Sequence, residues 1–351
     1  MEIKLDKVKE SNLSKVDFSN LGFCKYYSDH MFIADYEDGK WSNFRITPHE
    51  DLKLSPACTT LHYGQTIFEG LKAYKNKKDE ILIFRPDKNA IRFNKSAERM
   101  CMPKFPEKYF TQSITELLKI DKRWVPSKKN SSLYIRPIMF ATDPYIGIKP
   151  GDKYVFIIIC GLAGGYYSEP VNVKIETKFT RAVSGGVGFS KTAANYAAAL
   201  YPAVEAQKDG FHQLIWTDAK EHKYVEESGT MNLFFVIDKK LITPPLGDTV
   251  LDGVTRDSII ILSKDLGIDI EIRRISVDEI INSLDNNLIK EVFGAGTAAT
   301  IAPIKTIGYK NKKYNISQFS RDSISSTLLK SLNSIKYGET EDKFGWIHKL
   351  N

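Results

Sequence analysis

Short apolar runs that alternate with polar residues dominate the first half of the chain, and each is bounded by turn-forming residues. In HMFIADYEDGKW two such runs flank Asp38-Gly39, a dipeptide suited to a tight β-hairpin turn. LKAYKNKKDEILIFRP reads as two strands around a polar turn, and SSLYIRPIMFAT and KYVFIIICGL as two more, separated by the loop DPYIGIKPGD. Two stretches change period. PDKNAIRFNKSAERMCMP predicts a helix capped by Asp87, with Ile91, Phe93 and Met100 on its apolar face. TQSITELLKIDKRW predicts a second amphipathic helix with Thr111 as its cap. Helices and strands mixed without strict alternation indicate an α+β fold.

In the second half FHQLIWTD, KYVEES, NLFFVID and KLITPPL read as short strands. GVTRDSIIILSKDLG predicts a helix closed by Gly267 and followed by the strand IDIEIRRI. EVFGAGTAAT is a strand running into a tight turn, and SISSTLLKSLNSIKYG a terminal helix stopped by Gly338. Between the halves, LAGGYYSEPVN has the glycines and proline of a connector. The expected division is an N-terminal domain at 1–162, a linker at 163–172 and a C-terminal domain at 173–351.

Two domains suit a chain of 351 residues, which is long for a single core. The net charge of +7 is spread along it. The local clusters KNKKDE and KNKKY lack the aromatic-studded basic stripe of a nucleic-acid surface. Cys24, Cys58, Cys101 and Cys160 form no C-x-x-C pair and share no metal-ligand spacing with the six histidines, as expected of thiols in a reducing cytosol. The opening MEIKLDKVKE is charged throughout, unlike a signal peptide. YVFIIICGLAGGYY, the longest apolar run, falls short of the ~20 residues that span a bilayer. The expectation is a soluble cytoplasmic protein that binds neither nucleic acid, membrane nor metal.

Against this background one stretch stands out. RAVSGGVGFSKTAANYAAALYPAVE carries only Lys191 as a charged side chain between its ends, whereas 26% of the chain is charged. Partial desolvation of an ammonium favours the neutral amine, which is nucleophilic. Lys191 is therefore a candidate for covalent chemistry with an aldehyde or ketone. Two other readings of the string are a solvated Gly-rich turn and a phosphate-binding loop, since GGVGFSKT approaches G-x-x-x-x-G-K-[ST] and LFFVID could supply a metal-holding Asp238. Ser190, however, stands where that loop requires glycine, and VKIETKFTRAV is too polar for the buried strand that should precede it.

Three further segments add chemistry. In KYVEESGTMNLFFVID, Glu226 and Glu227 lie on one strand with side chains on opposite faces, so at most one points into a given site. A carboxylate facing a pyridine nitrogen keeps that nitrogen protonated and makes the ring an electron sink. LDGVTRDSII places Gly253, Val254 and Thr255 at the start of a helical pattern, where free N–H groups meet a phosphate. GAGTAAT offers Thr297 and Ala298 on a small-residue turn that can present amides to an anion. Together with the lysine, these match the needs of pyridoxal 5′-phosphate (PLP).

The chain resembles the branched-chain amino acid aminotransferases, PLP enzymes of fold type IV, nearly from end to end. The resemblance rests on YSDHM, LHYGQTIFEGLKAY, FRPDKNAIRF, SLYIRP, GGVGFSKTAANYA, EESGTMNLFFV, LDGVTRDS and GAGTAAT, in the family's order. It implies a smaller N-terminal α/β domain and a larger C-terminal domain built as a mixed β-barrel. It also implies that Lys191 binds the cofactor covalently, that Glu227 faces its ring nitrogen and that Tyr196 meets the ring's hydroxyl side. Arg92, the backbone at Val254 and Thr255, and Thr297 would hold the phosphate.

By the same resemblance Tyr134, with the Thr297–Ala298 amides, fixes the substrate carboxylate, and Arg136 receives the second carboxylate of glutamate or 2-oxoglutarate. Tyr27, Phe68, Tyr196, Thr230 and Ala298 wall the side-chain pocket. Tyr63, Ile146 and Ile148 come from the other chain of a homodimer. Some relatives carry a C-x-x-C after the GTA turn; here those positions are Ala299 and Ala302, so no thiol switch is expected there. The implied reaction is transamination between leucine, isoleucine or valine and 2-oxoglutarate. The alternatives are a D-amino acid aminotransferase, an aminodeoxychorismate lyase, or a homologue that binds the cofactor without turnover.

Overall fold

The computed structural model describes residues 1–350 except 168, 317–319 and 321, and these form two compact units. One comprises Met1–Tyr166, Ser190–Ala193 and Ser334–Asn351; the other comprises Tyr167–Phe189 and Ala194–Asn333. Two segments thus differ from the expected division, which placed everything after 172 in the second domain. The reason lies in strand pairing: Ile347–Lys349 runs antiparallel to Ile81–Phe84, and Thr192 bridges Ile67.

The first unit is built on a ten-stranded sheet whose centre is the antiparallel pair Ser132–Ala141 and Tyr154–Ala163. Alternation divides this pair into two faces. Leu133, Ile135 and Met139, with Phe156, Ile158 and Leu162, join one core with Phe93, Phe105, Phe110, Ile114 and Leu117. Tyr134, Arg136 and Ile138 therefore point to the opposite face. The hairpin turn at Asp38-Gly39 is as expected, both residues having positive φ (52° and 76°).

The two helices of this unit start differently from the sequence expectation. The first spans Pro86–Arg99, and its N-cap is Arg85 in a left-handed conformation, with Asp87 inside the first turn. Pro86, whose ring presets a helical φ, takes the first helical position and displaces Asp87 from the cap. Its buried face holds Asn89, Ala90, Arg92, Phe93, Ser96 and Ala97, whereas Ile91 is exposed and Met100 is the C-cap. The second spans Glu107–Ile120 with Pro106 as N-cap, so Thr111 lies within the helix rather than capping it.

The second unit holds a nine-stranded sheet in which six strands close on themselves, fulfilling the expected barrel. The ring runs Val225–Ser228, Gln213–Thr217, Val171–Ile175, Thr300–Tyr309, Ile289–Gly296 and Met231–Ile237, which pairs back to the first. Val173, Ile215, Leu233, Phe235, Val292 and Ile307 lie in its core. A helix over Val254–Asp265 ends at Gly267, where φ is 69°. AANYAAALYPAVEA divides into Ala193–Ala198 and Leu200–Lys208, with Pro202 tolerated in the first turn of the latter. Among the described residues no helix is long and apolar enough to cross a membrane.

Candidate active site

In the first unit, Lys191 is strapped to the sheet by its backbone. Its carbonyl accepts from the Phe68 N–H at 3.0 Å, and its own N–H donates to Ser96 Oγ at 2.9 Å. The next residue adds a bond from Thr192 Oγ1 to the Thr66 carbonyl at 2.8 Å. The side chain is half-buried, and its Nζ lies 4.8 Å from the centroid of the Phe68 ring. The guanidinium carbon of Arg136 lies 4.7 Å from the same centroid. Arg136 Nη2 also donates to the Tyr134 hydroxyl at 3.0 Å, as strand residues two apart on one face can do. Gly70 permits this arrangement, because a Cβ there would lie 2.0 Å from the Tyr134 hydroxyl.

Arg92 projects from the buried face of the helix Pro86–Arg99 toward Glu69, whose side chain is fully buried. Arg92 Nε reaches Glu69 Oε1 at 2.7 Å and Nη2 reaches Oε2 at 2.8 Å, a two-pronged pairing. Asn89 Nδ2 at 2.7 Å and the Gly70 N–H at 3.1 Å also donate to Oε2. Burial pushes the Glu69 carboxyl upward, but Arg92, Lys191 and the Asn89 amide outweigh it and hold the group below the usual carboxylate range.

In the second unit, Glu227 is buried on the strand Val225–Ser228. Its Oε1 accepts from the Leu251 N–H at 2.7 Å and from Asn232 Nδ2 at 3.2 Å. Its Oε2 lies 3.1 Å from Arg181 Nε, an ion pair with poor hydrogen-bond alignment. Arg181 is anchored in turn through Nη2 to the Gly188 and Thr249 carbonyls. Glu226 takes the other direction: Thr249 Oγ1 donates to it at 2.6 Å, and burial raises its carboxyl. Asn232 links this carboxylate to an anion-ready helix start, since its Nδ2 also donates to the Leu251 carbonyl at 2.9 Å. A Cβ on Gly253 would meet Asn232 Oδ1 at 1.9 Å, so glycine at the N-cap of the helix Val254–Asp265 leaves Asn232 in place. Val254 and Thr255 open that helix with N–H groups that have no intrahelical acceptor.

Tyr27 pairs with Gly161, which pairs on its other side with Tyr134, and its ring stacks on His49 at 5.1 Å. Tyr63, Ile146 and Ile148 are exposed in the first unit, Ile148 by 93%. In the second unit Tyr196 is half-buried on the helix Ala193–Ala198. Thr230 is exposed at the hairpin after Ser228, and Thr297 and Ala298 occupy the turn between Ile289–Gly296 and Thr300–Tyr309. The phosphate-loop reading of GGVGFSKT fails on geometry: no strand leads directly into Lys191, and a helix of only six residues follows.

Glu69, Asn89, Arg181 and Asn232 were not singled out from the sequence. Two of them left a signal. Glu69 is the acid within TIFEGLKAY, and Arg181 opens the otherwise neutral stretch that contains Lys191.

The chain is a member of the amino-transferase class IV family, whose profile matches residues 66–307. A probable branched-chain-amino-acid aminotransferase of Staphylococcus epidermidis is 42% identical over 350 residues, covering 98% of this chain and 97% of that protein. Branched-chain-amino-acid transaminase 1 of Bacillus subtilis is 42% identical over 337 residues, 95% of each. Among solved structures, Escherichia coli branched-chain amino acid aminotransferase superimposes with a TM-score of 0.74 at 26% identity, covering 92% of this chain and 99% of that one.

Proposed function

We propose that this chain is a branched-chain-amino-acid transaminase that moves the amino group of L-leucine, L-isoleucine or L-valine to 2-oxoglutarate. The observation that carries the reading is 42% identity over nearly the whole chain to enzymes of that name, joined to Lys191 and Arg136 about the Phe68 ring, with Tyr134 bonded to Arg136.

The cofactor is PLP, and each unit carries donors of the kind it needs. Lys191 offers the amine, Arg92 and the helix start at Val254 and Thr255 offer phosphate donors, and Glu227 offers a carboxylate for the ring nitrogen. Once bound, the cofactor supplies an electrophilic carbon and an electron sink. This chain's residues supply the rest. Lys191 Nζ moves the substrate α-proton. Arg181, the Leu251 N–H and Asn232 hold the Glu227 carboxylate in place, so that Glu227 can hold a proton on the ring nitrogen. Tyr196 takes the ring's hydroxyl side, and Thr297 adds to the phosphate contacts.

Tyr134 and the amides at Thr297 and Ala298 orient the substrate carboxylate, while Tyr27, Phe68, Tyr196, Thr230 and Ala298 wall the side-chain pocket. Arg136 accepts the second carboxylate of 2-oxoglutarate, which would be costly to bury unpaired. We assign the exposed Tyr63, Ile146 and Ile148 to a homodimer interface, from which they complete the partner's pocket, and we place the enzyme in the cytoplasm.

The test is a paired-substrate assay. L-leucine with 2-oxoglutarate should give L-glutamate and 4-methyl-2-oxopentanoate in equal amounts. Turnover of D-amino acids or aminodeoxychorismate in their place would assign the chain to another activity of the fold, and no turnover of any substrate would make it a binding homologue.

A further inference from the structure

Glu69 is a wholly buried carboxylate that the reaction as described above does not use. Four donors converge on it: two nitrogens of Arg92, the Asn89 amide and the Gly70 N–H. Such a pair could be a stability element alone, yet a buried ion pair is a poor source of net stability compared with apolar packing. Its geometry does something packing cannot. The fork of two parallel bonds to Nε and Nη2 fixes the plane of the guanidinium, and so fixes where its third nitrogen points. Asn89 lies on the same helix as Arg92, one turn earlier, so the carboxylate is braced by the helix that carries the arginine.

Glu69 also follows Phe68, the residue whose ring lies beneath the Lys191 amine and whose N–H is bonded to the Lys191 carbonyl. One short strand-to-loop segment therefore contacts both Lys191 and Arg92.

We propose that Glu69 is a positioning residue for the cofactor phosphate: it aims Arg92 at the phosphate while the adjoining Phe68 positions Lys191. This rests on the assignment of PLP as cofactor and of Arg92 as a phosphate ligand. Charge and aim act in opposite directions here, since Glu69 itself repels a phosphate. A charge-preserving variant separates them: Glu69→Asp keeps the negative charge but retracts the carboxylate by one methylene, which breaks the fork.

The experiment measures equilibrium binding of PLP and of pyridoxal, which lacks the phosphate, to the full-length apo protein, together with the melting temperature of each variant. In Glu69→Asp the preference for PLP over pyridoxal should fall by about tenfold, the scale of one lost hydrogen bond to a charged group, while pyridoxal affinity holds. Asn89→Ala loosens the same carboxylate from the helix and should lower the same preference severalfold, which keeps the test open if Glu69→Asp does not fold. An unchanged preference in folded variants, or equal losses for both ligands, overturns the positioning role and leaves the PLP assignment standing. Failure of the unaltered protein to bind PLP overturns both.

Discussion

Gly70→Ala is a small change with a large expected consequence. The added Cβ would lie 2.0 Å from the Tyr134 hydroxyl and 2.8 Å from its Cζ, against ordinary contact at 3.4 Å or more. The backbone of Gly70 is outside the left-handed region, so the cost is steric and not conformational. The Tyr134 tip must therefore withdraw by roughly 1.4 Å, a distance that breaks its 3.0 Å bond from Arg136 Nη2. Overpacking of this kind costs about 1–3 kcal/mol of stability. Misplacing a substrate-orienting group by about 1 Å costs on the order of a hundredfold in rate. Steady-state kinetics with leucine and 2-oxoglutarate should show a fall in kcat/KM on that order, PLP affinity near that of the unaltered enzyme, and a modest drop in Tm. Unchanged kcat/KM for both substrates would refute the placement of Tyr134 and Arg136 in the substrate site.

Two further outcomes follow from the same geometry. Arg136→Met should lower kcat/KM for 2-oxoglutarate by about tenfold to a hundredfold, the worth of a charge-assisted hydrogen bond, with a much smaller effect on leucine; equal losses would count against its role. Lys336, at the end of the helix Ile324–Lys336, is buried with its Nζ 5.0 Å from the Phe84 ring, and burial together with repulsion from Lys72 pushes its amine down to about 7. Between that value and the ordinary 10.5, the unfolded chain binds a proton that the folded chain does not, so this residue makes stability rise with pH across the window. Lys336→Met should flatten that rise; an unaltered pH slope in thermal melts would contradict it.

Most of the strands were legible because their alternation is local: YIRPIM shows in sequence the division that sends Tyr134 and Arg136 to one face and Ile135 to the other. The helix starts were less legible. Asp87 and Thr111 satisfy cap chemistry, but Pro86 and Pro106 set the backbone entry and won the position. The grouping of Ser190–Ala193 and Ser334–Asn351 with the first unit depends on strand partners far away in the chain, which no local pattern encodes. The residues proposed to touch cofactor or substrate could be read from motifs. Those that brace them were less legible: Glu69 and Arg181 lie in segments the motifs mark, but show their purpose only once Arg92 and Glu227 are seen beside them.

Lys191 is the proposed point of covalent attachment. Borohydride treatment of the purified PLP-loaded enzyme, followed by peptide mapping with mass spectrometry, tests this most directly. A phosphopyridoxyl group on the peptide containing Lys191, and on no other, is the expected result. A group found on a different lysine, or no modified peptide at all from a protein that carries PLP, would contradict it.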